Sequence, residues 1–201
     1  MDRLKYVPVA STFEDMCTVR AKLAWAAHTP PDISFSVSQL AQTTVSKFDK
    51  YCLVLANKII KHLKSDPELA LRYPKLDKST LRILAYTDAS FHDNEDLSSQ
   101  LGYVILLSDA TCAVFILSFR SFKSRRVARS SMDAETIAFS DTFDASFSIK
   151  YDLESIVGNP IPLLILTDSR PLFDILMCEK YTTEKRLMID ISAARECFNR
   201  R

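Results

Sequence analysis

Three carboxylates stand where apolar runs end or a helix begins. Asp88 follows the run Leu81–Thr87 in Tyr86-Thr87-Asp88-Ala89-Ser90. Glu135 lies in the expected first turn of a long helical stretch, in Ser130-Ser131-Met132-Asp133-Ala134-Glu135, and Asp168 closes Leu166-Thr167-Asp168-Ser169. Carboxylates held close together repel and raise one another's pKa until a cation neutralises them. An all-oxygen ligand set suits Mg²⁺, which keeps part of its water shell and takes the rest from substrate phosphate. Two such ions about 3.5–4 Å apart activate water and stabilise the leaving oxygen in phosphodiester cleavage. Taken singly, each acid also reads as a turn residue, a cap or a dipole-favoured helix acid. Asp133 competes with Glu135 for either role.

A second feature adjoins the first. Arg120, Lys123, Arg125, Arg126 and Arg129 follow one another with no acid between them. A single-sign cluster beside an acidic metal site suits a phosphate backbone, which exchanges its counterions for such side chains. It also reads as a solvated basic loop. Ser130 or Ser131 can cap the helix that follows, and Ser131 joins the nucleic-acid-binding candidates through the anion-binding character of a helix start. Phe119 and Phe122 read as core before they read as base-stacking residues.

Composition narrows the classes. The net charge is +1, so any nucleic-acid contact must come from local clustering. The chain has 2 glycines, which excludes a P-loop and a dinucleotide fingerprint, since both need several glycines in one turn. The 5 cysteines are odd in number, widely spaced and without a C-x-x-C pair, as expected for reduced thiols in an intracellular protein. They read as small buried hydrophobes, and Trp25 reads as core. His28, His62 and His92 match no metal spacing, and His92 falls in a polar loop. No signal peptide and no membrane-length apolar stretch is visible.

Elements must position these residues. The 201 residues allow one large domain, or a domain with an appendage. The first third reads as helical: Glu14–Ala27, then a helix capped by Asp32, then one from Ser46 with Phe48, Cys52, Leu55, Ile59 and Leu63 on a stripe. Pro30-Pro31 and Pro67 punctuate it. Beyond Ser79 the pattern changes to short strands at 81–87, 102–107 and 112–119, joined by links short enough for antiparallel hairpins. A helix over 133–157, a strand over 163–167 and helices at 170–178 and from 183 follow. The expected fold is α/β, a mixed sheet of three antiparallel strands plus a parallel fourth, with flanking helices. The expected division is a helical connection segment over 1–78 and a sheet domain over 79–201. With strands one and four adjacent, Asp88 and Asp168 stand side by side, and a helix crossing that edge brings in Glu135.

The order Asp–Glu–Asp on first strand, long helix and fourth strand resembles the RNase H domain of copia-type retrotransposon polyproteins. Ser98-Ser99-Gln100-Leu101-Gly102-Tyr103-Val104 looks like that family's lead-in to strand two, and Ala128-Arg129-Ser130-Ser131-Met132-Asp133-Ala134-Glu135 like its S-S-x-x-A-E helix start. Arg20–Ile33 and Lys61-His62-Leu63-Lys64 look like the segment joining reverse transcriptase to RNase H. The resemblance implies an RNase H-like fold, with Asp88, Glu135 and Asp168 as catalytic residues and ligands of two Mg²⁺ ions, Mn²⁺ being an alternative. It implies hydrolysis of the RNA strand of an RNA–DNA hybrid, with the rest of a polyprotein as partner. The family also has a fifth strand followed by a fourth carboxylate in an A-D-x-x-T-like motif. Neither is recognisable before Arg201, so strand four is expected to be an exposed edge. Asp190 reads as a solvated or salt-bridged helix acid. Two other readings stay open: a catalytically silent retroelement remnant that at most binds nucleic acid, and a DDE-type transposase or integrase, against which the early position of the Glu argues.

Overall fold

The computed structural model describes residues 12–44, 48–66, 68–177 and 185–199. The chain divides into two compact units, Met1–Leu71 and Arg72–Arg201.

The first unit is helical. α1 (Phe13–Ala26) starts at Thr12 with a reciprocal capping box: Asp15 N–H donates to Thr12 Oγ1 and Thr12 N–H to the Asp15 carboxylate. A 3₁₀ turn over Pro31–Ile33 leads into α2 (Ser34–Ala41). Asp32 makes no cap; its carboxylate pairs with His62 of α3 (Lys50–Ser65) instead. The expected start of α3 at Ser46 lies outside the described residues. Asp49 is its cap, accepting the Cys52 N–H at 3.1 Å. Met16, Leu23, Val37, Leu40, Cys52 and Ile59 form the core of this unit, each on its helix's apolar stripe. Trp25 lies off that stripe and is 80% exposed, contrary to its reading as core.

The second unit is a four-stranded sheet with helices. β1 (Arg82–Ser90), β2 (Gln100–Ser108), β3 (Val114–Lys123) and β4 (Leu163–Leu166) lie in the order β3-β2-β1-β4. The pairs β1–β2 and β2–β3 are antiparallel and β1–β4 is parallel, the mixed sheet expected from the sequence. Each hairpin strand is longer than its apolar run. Cross-strand pairing carries polar residues into the ladder, so Asp88 lies inside β1, opposite Gly102, and Arg120 and Lys123 lie within β3. A bulge at Ile105/Leu106 increases local twist just before the basic end of β3.

α4 (Ser131–Val157) is 27 residues long and lies across the sheet. Its Ala145, Ile149 and Leu153 pack on Ile83, Ala85 and Ile105, all fully buried strand residues. Burying one such isoleucine contributes about 1.5–3 kcal/mol. Thr142 and Ser146 are also buried on α4, and each turns its hydroxyl back to a carbonyl of its own helix. Gly158, at φ +79°, takes the left-handed turn that ends α4 and releases the chain toward β4. α5 (Arg170–Met177) and α6 (Met188–Asn199) join through Leu172, Ile175, Leu187, Ile191 and Ala194. Cys178 and Thr183, expected at a helix end and a helix start, lie outside the described residues. β4 is the sheet's edge, with Leu164 and Leu166 exposed. Cys112 is exposed in the β2–β3 turn at φ 62°, so not every cysteine is a buried hydrophobe. No helix among the described residues is long and apolar enough to cross a membrane.

Asp109, 1% exposed, ties the approach to β1 onto the β2–β3 hairpin. Its carboxylate accepts N–H bonds from Asp77 and Thr111, both at 2.9 Å, and the Thr111 hydroxyl at 2.6 Å. The Thr111 hydroxyl and the Asp77 backbone hold its pKa below the ordinary carboxylate value. A lowered carboxyl pKa adds stability above the unfolded value, about 3.9, that is lost as pH falls through the folded one. Asp109→Ala is therefore expected to lower the melting temperature by several degrees at pH 7, with the gap to wild type closing in acid. Melting curves across pH check this; a gap that stays constant down to acid unfolding would refute it.

Candidate metal centre

The parallel register sets the first two acids. Tyr86 pairs with Leu166, and Asp88 and Asp168 each lie two residues further on. They therefore project from the same edge of neighbouring strands, both exposed. Glu135 comes from α4. Ser130 is the cap, so Glu135 sits one residue past the first turn, and the first-turn acid is Asp133. The two acids have different surroundings. Asp133 is 1% exposed and bonded to backbone, with its Oδ2 accepting the Arg129 N–H at 3.0 Å. Glu135 instead joins Asp88 and Asp168, and the three offer oxygens within 4.8 Å of one another. Among the described residues this is the one such cluster of His, Cys, Asp or Glu.

Burial, then the charges of Asp88 and Asp168, push the Glu135 carboxyl up to about 7, against a smaller opposing effect of the Ala89 backbone N–H. Its Oε2 is buried with no hydrogen-bond partner. A carboxylate that has one buried, unpaired oxygen and stands beside two further carboxylates is what a hard divalent cation relieves, because it binds oxygen ligands and cancels their repulsion. The residues present thus fit such an ion.

The basic residues divide into groups. Arg120, Phe122, Lys123, Arg125, Arg126 and Asp141 line a groove of about 540 Å³ between the end of β3 and α4. Arg120 lies over the Phe122 ring at 4.4 Å from its centroid, so Phe122 holds a cation as well as packing. Arg129 and Ser131 are exposed at the start of α4 and do not line the groove. Cross-sheet pairing sets Asp88, Gly102 and Ser121 in one row, so the basic end of β3 is two strands, roughly 10 Å, from Asp88.

Three acids that the sequence reading left out of this strip oppose it in space. Lys123 pairs with Asp96 of the β1–β2 loop, and Arg126 with Asp190 of α6 at 2.7 Å. Asp190 is thus a salt-bridged helix acid. Asp141 lies in the groove wall, its pKa raised by burial and by Asp144 and opposed by Arg126 and Arg120. Spacing along the chain carries no signal for these pairings. His92, at φ 55°, stacks its ring on Phe91 in the turn after β1.

No protein-family model matches the chain. The Retrovirus-related Pol polyprotein from transposon RE1 of Arabidopsis thaliana is 31% identical to it over 121 residues, 60% of this chain and 8% of that protein. The chain is thus similar to a short stretch of a transposon Pol polyprotein. It spans only that small share of the curated relative's length. The foamy viral protease-reverse transcriptase, solved in complex with an RNA/DNA hybrid, aligns with 96% of this chain and 25% of its own at TM-score 0.52 and 11% identity, a likeness of fold. RNase H1 of Halobacterium salinarum aligns with 57% of this chain and 75% of its own at TM-score 0.42 and 19% identity. The mixed four-stranded sheet with flanking helices is the architecture expected from the sequence.

The raised Glu135 carboxyl has a measurable consequence without any cation. Its protonated form contributes stability that is present below the unfolded value, about 4.3, and lost as pH rises through the folded value, which is about 7. In EDTA, the wild-type melting temperature is expected to fall relative to Glu135→Gln across that window. Parallel pH profiles for the two proteins would refute this.

Proposed function

We propose that the Arg72–Arg201 unit is the RNase H-type part of a copia-type retrotransposon polyprotein, an endonuclease acting on the RNA strand of RNA–DNA hybrids. The observation that carries the reading is the clustering of Asp88, Glu135 and Asp168, with Glu135 Oε2 buried and unpaired. Those three side chains would hold Mg²⁺, or Mn²⁺ in its place. When bound, the ions supply an activated water and charge stabilisation for the leaving oxygen.

The protein's own part is positional. Asp88 and Asp168, exposed at the strand edge, offer ligands from the open side, where a phosphodiester can approach. Glu135, half-buried, closes the inner side, and its raised carboxyl would be held ionised by a bound cation. Arg120 and Arg125 would take backbone phosphates along the groove beside α4. Lys123 and Arg126 would do so in exchange for Asp96 and Asp190. The helical first unit corresponds in this reading to the connection between reverse transcriptase and RNase H, and the remainder of the polyprotein is its partner.

The deciding assay incubates the purified chain with a labelled RNA–DNA hybrid in Mg²⁺ and in Mn²⁺. Cleavage of the RNA strand, abolished in Asp88→Asn, is the expected result. No cleavage with either ion, under conditions where the protein is folded, would leave a silent remnant as the better description. Strand transfer without hybrid cleavage would point to a transposase.

Binding separates from chemistry in EDTA. Arg120→Ala and Arg125→Ala are each expected to weaken hybrid binding regardless of sequence. Each should also reduce the slope of log K against log salt by about 1. Fluorescence anisotropy at several salt concentrations measures both. Unchanged slopes would remove the groove from the interface.

A further inference from the structure

Asp133 is a buried carboxylate two residues from Glu135, and the cluster of acids does not use it. A helix favours an acid in its first turn, but an exposed one serves the dipole as well. Burying a carboxylate to 1% exposure is costly unless its hydrogen bonds matter. Its bonds reach an unusual place. Ser130 is the cap and receives the Asp133 N–H on Oγ at 3.1 Å. In the usual reciprocal arrangement the acid at this position bonds the cap residue's own N–H. Here Asp133 Oδ2 reaches one residue further back, to the N–H of Arg129 at 3.0 Å, outside the helix and at the end of the basic segment. The neighbouring Ala128 is buried with Ala134 and Ile137, so the same segment is also held by packing.

We propose that Asp133 is a positioning residue, which registers Glu135 and the basic segment ending at Arg129 against one another. The inference rests on the RNase H-type reading of the carboxylate cluster. Helix start and basic segment are joined at one buried side chain. A shift of the first turn of α4 would move Glu135 away from Asp88 and Asp168 and change the path of the segment that leads out of the groove.

The test uses the full chain with Asp133→Ala and Asp133→Asn. Three quantities are measured well below the melting temperature: Mn²⁺ affinity by calorimetry, hybrid affinity in EDTA by anisotropy, and the melting temperature itself. Asp133→Ala is expected to weaken Mn²⁺ binding by about tenfold or more, the usual effect of losing a residue that orients a metal ligand. It should weaken metal-free hybrid binding several-fold. Asp133→Asn keeps an oxygen that can accept the Arg129 N–H and is expected to retain both affinities within about twofold. Should Asp133→Ala not fold, Asp133→Ser, a residue that helix starts tolerate but too short to reach Arg129, is expected to show the same two losses.

A lower melting temperature with both affinities unchanged would reduce Asp133 to a helix cap and overturn the proposal. So would an Asp133→Asn protein as impaired as Asp133→Ala. A wild-type chain that binds no Mn²⁺ would overturn the RNase H-type reading and this inference with it. Wild-type binding matched by Asp133→Ala would overturn this inference alone.

Discussion

Parallel strands of one sheet cannot be joined by a tight turn. The chain must leave the sheet, cross it and return. The rest of this structure depends on that constraint. β1, β3 and β4 all run in one direction, so their carboxyl ends lie along one edge of the sheet. The crossover from β3 to β4 is α4, which must begin at that same edge. Asp88, Glu135 of α4 and Asp168 therefore meet there though far apart in sequence, and the basic end of β3 lies along the same edge. The topology creates the juxtaposition, and the side chains give it chemical meaning.

The juxtaposition opposes stability until something answers it. Three acids within 4.8 Å of one another, one with a buried unpaired oxygen, raise the free energy of the metal-free fold. The surrounding elements resist by packing. Ala134, Ile137 and Ala138 of α4 sit in one buried cluster with Leu101 of β2, Ile175 of α5 and Leu187 and Ile191 at the start of α6. Apolar contacts on the inner side of α4 thus hold Glu135 where electrostatics alone would expel it. Asp133 and Ser130 add directional hydrogen bonds at the helix start, where packing alone leaves freedom to slide.

Much of this was legible in the residues, and the exceptions share a cause. Helix stripes, proline breaks and apolar runs are local signals, and they placed every described α-helix and strand, though not the 3₁₀ turn over Pro31–Ile33. The three acids were legible through their order along those elements. Local signals did not extend to the polar ends of the strands, because Thr87–Ser90 and Arg120–Lys123 are recruited by partners across the sheet. Glu135 was assigned to the first turn, whereas Ser130 as cap puts it one residue beyond. Trp25 was taken as core on residue type, although its position off the Met16–Leu23 stripe already pointed outward. Asp96, Asp141 and Asp190 meet the basic strip only through tertiary structure, so no spacing could reveal them.

The acids among the cations alter what the groove can discriminate. A purely cationic strip attracts any polyanion in any register. Asp141 interrupts this one from the α4 side, while Asp96 and Asp190 hold Lys123 and Arg126 from outside. An anionic chain laid down out of phase would set a phosphate against Asp141 and gain little from cations that already have partners. In the proposed reading, only a chain whose charges fall between the acids would recover the full attraction. Selectivity for one alignment of a repeating polymer would then come from repulsion built into the groove rather than from added contacts.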